Sequence, residues 1–284
     1  MTQAPLLTDR PALMRNRARA LSLPEPALFL QETAIDEVKE RLESVNRTFT
    51  DAAVITGYPE LWQAELRGIL PNLRMVPDDD ALNLAPQSLD LVVHAMALHW
   101  ANDPVGQLVQ ARRVLRPDGL LLALFFGGQT LQELRAVLAE AEAEVTGGLS
   151  PRVLPMGEIR DLGALLQRAG LALPVADSFT QTVRYRSALH LMRDLRAMGE
   201  GNALAQRLRR PTRRKVLLRA AELYQQSYQA EDGRIPATFE ILCLTGWAEH
   251  EGQQKPLRPG SAQQRLADAL NTAEMPLRKG SQPG

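Results

Sequence analysis

Cysteine is almost missing from this sequence: Cys243 is the single one in 284 residues. That excludes an intramolecular disulfide and a multi-thiolate zinc site, and it suits a reducing compartment. No apolar run approaches the roughly 18–20 residues that a membrane-spanning helix needs. The N-terminal stretch also lacks the apolar core of a secretory signal. Neither charge sign dominates, with 33 Lys and Arg against 33 Asp and Glu, so nothing global points to nucleic acid or to an acidic membrane surface. Aromatics are scarce at 5%, yet hydrophobic residues make up 45%, an ordinary profile rich in Leu and Ala. These absences lead to the expectation of a cytoplasmic bacterial protein without nucleic-acid partners, with peripheral membrane contact left open.

What is present is strong periodicity. The Arg-rich stretch Asp9–Leu23 (Arg10, Arg15, Arg17, Arg19) reads as a basic helix of the mature domain, with a transit peptide as the alternative. Leu28, Ala34, Ile35, Val38 and Leu42 share one face of an amphipathic helix over 26–45. Ala52–Ile55 is a short buried strand, and Pro59 opens a helix after a turn at Gly57. Leu73–Val76 is a second strand, stopped by Pro77 and the acidic run Asp78–Asp80. The continuous apolar run Leu89–Leu98 has the character of a central parallel strand covered on both faces. A helix over Val105–Leu115, a turn at Arg116–Gly119, a strand over Leu120–Phe126 and a helix over Gln129–Val145 follow.

Alternation of this kind predicts an α/β fold, a doubly wound and mostly parallel sheet. Ligands of such sheets sit outside the carboxyl ends of the strands. The Gly57 turn, Asp78–Asp80, His94–Trp100 and Phe125–Gln129 should therefore surround one crevice. Helices over Glu158–Ala169, Leu189–Met198 and Thr212–Gln229 and strands over Ser178–Tyr185 and Ala237–Trp247 are added beyond it. The basic segment Arg207–Lys215 reads as a solvated helix start or loop, with an anionic-partner site as the lesser alternative. The division expected is 1–47 as basic and amphipathic helices, 48–251 as the α/β domain and 252–284 as a mostly disordered tail.

Two sets of motifs carry a resemblance. Asp78–Pro104 followed by Arg112–Leu122 resembles the acid, strand, "LHW" turn and "LKPGG"-type turn of class I S-adenosylmethionine (SAM) methyltransferases. A more specific series comprises Gly127–Arg135, Gly147–Pro155, Asp161–Gly170, Met192–Ala203, Glu231–Trp247 and Pro259–Ala262. It resembles the complex I assembly-factor (arginine hydroxylase) branch of the methyltransferase-like proteins and its bacterial homologues, beside the malonyl-acyl-carrier-protein methyltransferases. The Gly199–Asn202 and Glu231–Thr238 elements single out the first branch. The resemblance implies a methyltransferase fold and modification of an arginine on a complex I subunit, or methyl transfer from SAM. A non-catalytic assembly chaperone on the same fold is the alternative.

The resemblance also implies where SAM would lie: its amino-acid end at a glycine-rich first turn, its ribose on an acid after the second strand, its adenine near an acid after the third. By that pattern the cofactor-binding candidates are Thr56, Gly57, Asp78, Asp79, His94 and Ala95, with Asp78 taking the adenine-acid place. His94 itself lies within the strand and reads first as a satisfied core histidine. The first turn keeps one glycine, and Tyr58 and Pro59 add bulk beside it. The interval from Asp51 to Asp90 is short by about one helix–strand unit, so the ribose acid is missing. His99 is the candidate base, with a packing role beneath its loop as the alternative. His94, His99, His190 and His250 show no metal-ligand spacing, so no metal site is expected.

Overall fold

A computed structural model of the protein describes residues 6–157 and 159–253. Six strands form one sheet in the order β2-β1-β3-β4-β6-β5. They are β1 (Asp51–Ile55), β2 (Asn72–Val76), β3 (Leu89–Ala95), β4 (Leu115–Phe126), β5 (Leu171–Tyr185) and β6 (Ile235–Ala248). β2, β1, β3 and β4 run parallel, and β6 is inserted antiparallel between β4 and β5. This is the predicted mostly parallel sheet. Between β1 and β3 the chain has room for one helix–strand unit, and β2 hydrogen-bonds directly to β1.

The helices are α1 (Arg10–Leu21), α2 (Phe29–Ser44), α3 (Pro59–Leu66), α4 (Pro104–Val114), α5 (Gln132–Thr146), α6 (Ile159–Arg168), α7 (Ala188–Ala197) and α8 (Arg214–Tyr228). Two cores explain the continuous apolar strands. Leu120, Leu122, Leu124 and Phe126 of β4 face α2, α5 and α8, whereas Leu121, Ala123 and Phe125 face α4 and α6. A strand buried on both faces has no polar side to alternate with.

The turn expected at Arg116–Gly119 is instead an irregularity inside β4. Leu115 pairs with Leu89 and Leu120 with Leu91, so the residues between them bulge, with Asp118 at φ 65°. β5 starts seven residues before the predicted Ser178, beyond its own register shift at Ala172–Val175. The tail expected over 252–284 falls, from residue 254 on, outside the described residues, as does Glu158. Among the described residues no helix is long and apolar enough to cross a membrane.

α1 begins at Asp9, whose carboxylate accepts from the Ala12 amide and also from Arg207 and Arg209, both at 2.9 Å. Leu13, Arg17 and Ala20 lie on its buried face at helical spacing. A bridge from Thr8 to Leu204 and a bond from Asn16 Nδ2 to the Gly201 carbonyl tie the helix to the 200–205 segment. The basic N-terminal stretch is thus part of the folded body, and it lies over the carboxyl ends of the strands.

Candidate functional site

The first turn leaves β1 at Thr56, whose hydroxyl accepts from the Tyr58 amide, and passes through Gly57. The Tyr58 ring does not fill the space above Gly57. It is buried, and its hydroxyl donates to the Met198 carbonyl at 2.5 Å. Burial pushes the Tyr58 phenol pKa up, with Glu200 adding to the shift. The space above Gly57 belongs to Arg17: a methyl group on Gly57 would overlap its guanidinium. Neither Tyr58 nor Pro59 is therefore the residue that blocks this turn, and composition gave no hint that a side chain from α1 would.

Arg17 is held there by Asp78, with Nη1 donating to both carboxylate oxygens at 2.9 and 2.8 Å. Arg10 adds bonds of 3.3 and 3.2 Å to the same carboxylate and one of 3.4 Å to Asp79, which is otherwise exposed. Burial alone would raise the Asp78 pKa, but Arg17 and Arg10 outweigh it and bring it down to about 2. Burial works against the charge on Arg17, and Asp78 with Glu200 more than restores it. Asp78 hangs from the strand next to β1, which in the doubly wound order 3-2-1-4 is the second strand rather than the third. Its neighbour Asp79 does not turn inward.

On the other side, β3 ends at Ala95, and Met96 takes φ 51°, a left-handed conformation costly for residues other than glycine. That kink directs the chain into a single 3₁₀ turn at Leu98–Trp100. The His99 side chain is 1% exposed, packs against Phe126 at 4.8 Å between ring centroids, and lies 3.5 Å from Glu200 Oε2. The Trp100 indole donates to the same oxygen at 2.7 Å. Burial would raise the Glu200 pKa, yet His99, Arg17 and Trp100 hold it below the usual carboxylate range. His99 sits beneath the loop instead of opening into the crevice. His94 is a core residue of β3 beside Gln107, and burial lowers its pKa to about 4.

Glu200 arrives on Gly199–Asn202, one of the elements on which the resemblance to the assembly-factor branch rests. Gly199 has φ 75°, and a side chain there would overlap the Tyr58 hydroxyl and Arg17. Gly127 likewise needs its missing side chain, although not for a ligand: the Glu240 carboxylate packs on it and accepts from the Gln129 amide at 2.9 Å. The crevice therefore has two halves, the Arg17–Asp78 cluster over the first turn and Glu200 with His99 and Trp100. Sequence reasoning reached Gly57, Asp78 and His99. It missed Arg17 and Glu200, although the Arg-rich start and the Gly-Glu-Gly-Asn element contained them.

These residues do not fit SAM as they stand. The cradle that Gly57 provides is filled by Arg17, and both oxygens of Asp78, the candidate for the adenine acid, are taken by two arginines. Among the described residues no group of three or more His, Cys, Asp and Glu is placed to hold a metal ion.

The sheet order and the carboxyl-end crevice define a member of the class I methyltransferase superfamily, and a methyltransferase domain family matches residues 18–123. The human protein named arginine-hydroxylase NDUFAF5, mitochondrial, is 34% identical over 278 residues, covering 89% of this chain and 80% of that protein. Its namesake from Dictyostelium discoideum is 42% identical over 197 residues, 69% of this chain and only 45% of the longer relative. A malonyl-[acyl-carrier protein] O-methyltransferase from Laribacter hongkongensis is 32% identical over 281 residues, covering 87% of this chain and 92% of that protein. The chain belongs to the methyltransferase-like family that includes arginine-hydroxylase NDUFAF5.

Proposed function

We propose that this protein is a cytoplasmic assembly factor for respiratory complex I that engages an arginine side chain of a complex I subunit. The observation that carries the reading is the placement of Glu200: the element that distinguishes the assembly-factor branch forms one wall of the crevice and brings a carboxylate to His99 and Trp100. His99 then has a positioning role, holding Glu200 from beneath. Hydroxylation of the arginine is carried over from the names of the relatives as part of this proposal.

SAM enters the reading only as the usual ligand of the superfamily. With Arg17 on Gly57 and Asp78 doubly paired, ordinary methyl transfer is not the activity we assign. Titration calorimetry of the purified protein with SAM should give no binding heat up to millimolar ligand, and binding in the low micromolar range would overturn that assignment.

The closed cofactor turn also favours a second reading, a chaperone without catalysis. Intact-mass and peptide analysis of complex I subunits from wild-type and deletion strains separates the two. One added oxygen on an arginine, lost in the deletion strain, supports modification. Unmodified arginine in both strains with reduced complex I in the deletion strain supports the chaperone. Normal complex I in the deletion strain rejects both.

A further inference from the structure

Beside Glu200, among α5, α7 and the segments 151–156 and 200–212, lies a cavity of about 420 Å³. That volume falls in the range of roughly 300–1,000 Å³ typical of small-molecule sites. Apolar side chains make most of its wall, among them Trp100, Phe126, Leu134, Leu154 and Met192. Nearly all of its polar neighbours are already committed. The Thr130 hydroxyl donates to the Glu240 carbonyl and accepts from the Glu240 amide, both at 3.0 Å. Arg152 is paired with Glu142 and donates to Thr212, and Arg207 is paired with Asp9. The Asn202 amide donates to the Pro151 carbonyl, and its oxygen accepts from the Leu204 amide. Glu200 borders the cavity too, but Oε2 accepts from the Trp100 indole and Oε1 is enclosed beside Arg17.

Two cations are left over. Arg196, in the last turn of α7, and Arg210 both line the cavity, are exposed, and make no ion pair among the described residues. Arg210 belongs to the basic segment Arg207–Lys215, and Leu208, Pro211 and Thr212 of that segment also border the cavity. The segment is therefore part of the mouth. The result is a polarised site: an apolar chamber whose polar groups are spent, opening past two unneutralised guanidinium groups.

We infer that this cavity binds a medium-chain fatty acid, with the alkyl chain in the chamber and the carboxylate at the mouth. The chain removes the leucine, methionine and aromatic walls from water. The carboxylate meets the guanidinium groups of Arg196 and Arg210 in charge-assisted bonds. The reverse orientation fails on the same observations, because the anion would find no free donor inside and would lie near the Glu200 carboxylate. A short dicarboxylate fails likewise, since its second charge would enter the chamber unpaired. The inference stands apart from the assembly reading, which neither supplies nor requires such a ligand.

The test combines calorimetric titration of the full chain with laurate, below its micellar range, and quenching of tryptophan fluorescence by 12-bromododecanoate. Laurate should bind, and octanoate, shorter by four methylenes, should bind roughly a hundredfold more weakly, at about fourfold for each methylene buried. Dodecyltrimethylammonium carries the same tail with the opposite charge and should bind at least tenfold more weakly than laurate. Arg196→Glu with Arg210→Glu should weaken laurate about tenfold and strengthen the cation. Both positions are exposed, so this variant changes charge without disturbing the core. Of the three tryptophans, Trp62 is bonded to Gln31 of α2 and Trp247 pairs with Leu120, at the far end of β4. Quenching should therefore fall on Trp100 and vanish in Trp100→Phe. Met192→Trp, which fills the chamber from a half-buried wall position, should abolish laurate binding. The inference is overturned by absence of laurate binding, by equal affinity for laurate and dodecyltrimethylammonium, or by quenching that persists in Trp100→Phe.

Discussion

The two halves of the crevice share Glu200's surroundings but have opposite character. Over the first turn, every opening is filled by the chain itself: Arg17 lies on Gly57, and Asp78 binds two arginines. Across Glu200, an apolar cavity of about 420 Å³ stays open and one carboxylate oxygen stays unpaired. The difference teaches that the two halves of one crevice can be packed to very different degrees by the chain itself. The two halves share a wall, because Gly199 packs on both Tyr58 and Arg17.

Breaking the closed half should have the largest effect. Asp78→Ala leaves Arg17 buried without its counter-ion, and urea denaturation should record a loss of about 3–5 kcal/mol. The same pair makes stability depend on pH. The folded Asp78 pKa of about 2 lies below the unfolded value. Its contribution is therefore complete above about pH 4 and is lost as the pH falls towards 2. Thermal melts between pH 5 and pH 2 should show this decline in the wild type, and a flat profile over that window would argue against the pairing.

Gly199→Ala tests the shared wall. It forces a side chain into a left-handed position and against the Tyr58 hydroxyl, so a loss of about 1–3 kcal/mol is expected in the same denaturation assay. Tyr58→Phe removes only the hydrogen bond to Met198 and should cost about 1 kcal/mol in the same assay. The smallest effect belongs to a control far from either half. Arg184→Ala breaks an exposed pair with Asp232, and its stability should stay within about 0.5 kcal/mol of wild type.

The sheet was legible because its signals are local. A strand buried on both faces produces an apolar run, and a proline at position 59 marks a helix start whatever surrounds it. Arg116–Gly119 shows the limit: turn residues can equally make a bulge, and only the pairing of Leu115 with Leu89 decides. The site was less legible for the same reason. Arg17 and Asp78 are 61 positions apart, and Trp100 and Glu200 are 100 apart, so no spacing rule connects them. Gly57 was correctly singled out as a place of close approach, yet what approaches it is a side chain from α1. Gly127 repeats the lesson with Glu240.

The strap that ties α1 down has a consequence for the order of events during synthesis. Asp9 finds its two arginines only at positions 207 and 209, and Thr8 bridges to Leu204. β4 likewise acquires its antiparallel neighbour only when Ile235–Ala248 has emerged. Contacts of such long sequence separation form late. Until most of the chain has left the ribosome, the first helix can clasp only Asp78 and Asp79, and its ties to the 200–209 segment are still to form. The cover over the Gly57 turn can thus begin early, but it is locked from its far side only by the second half of the chain.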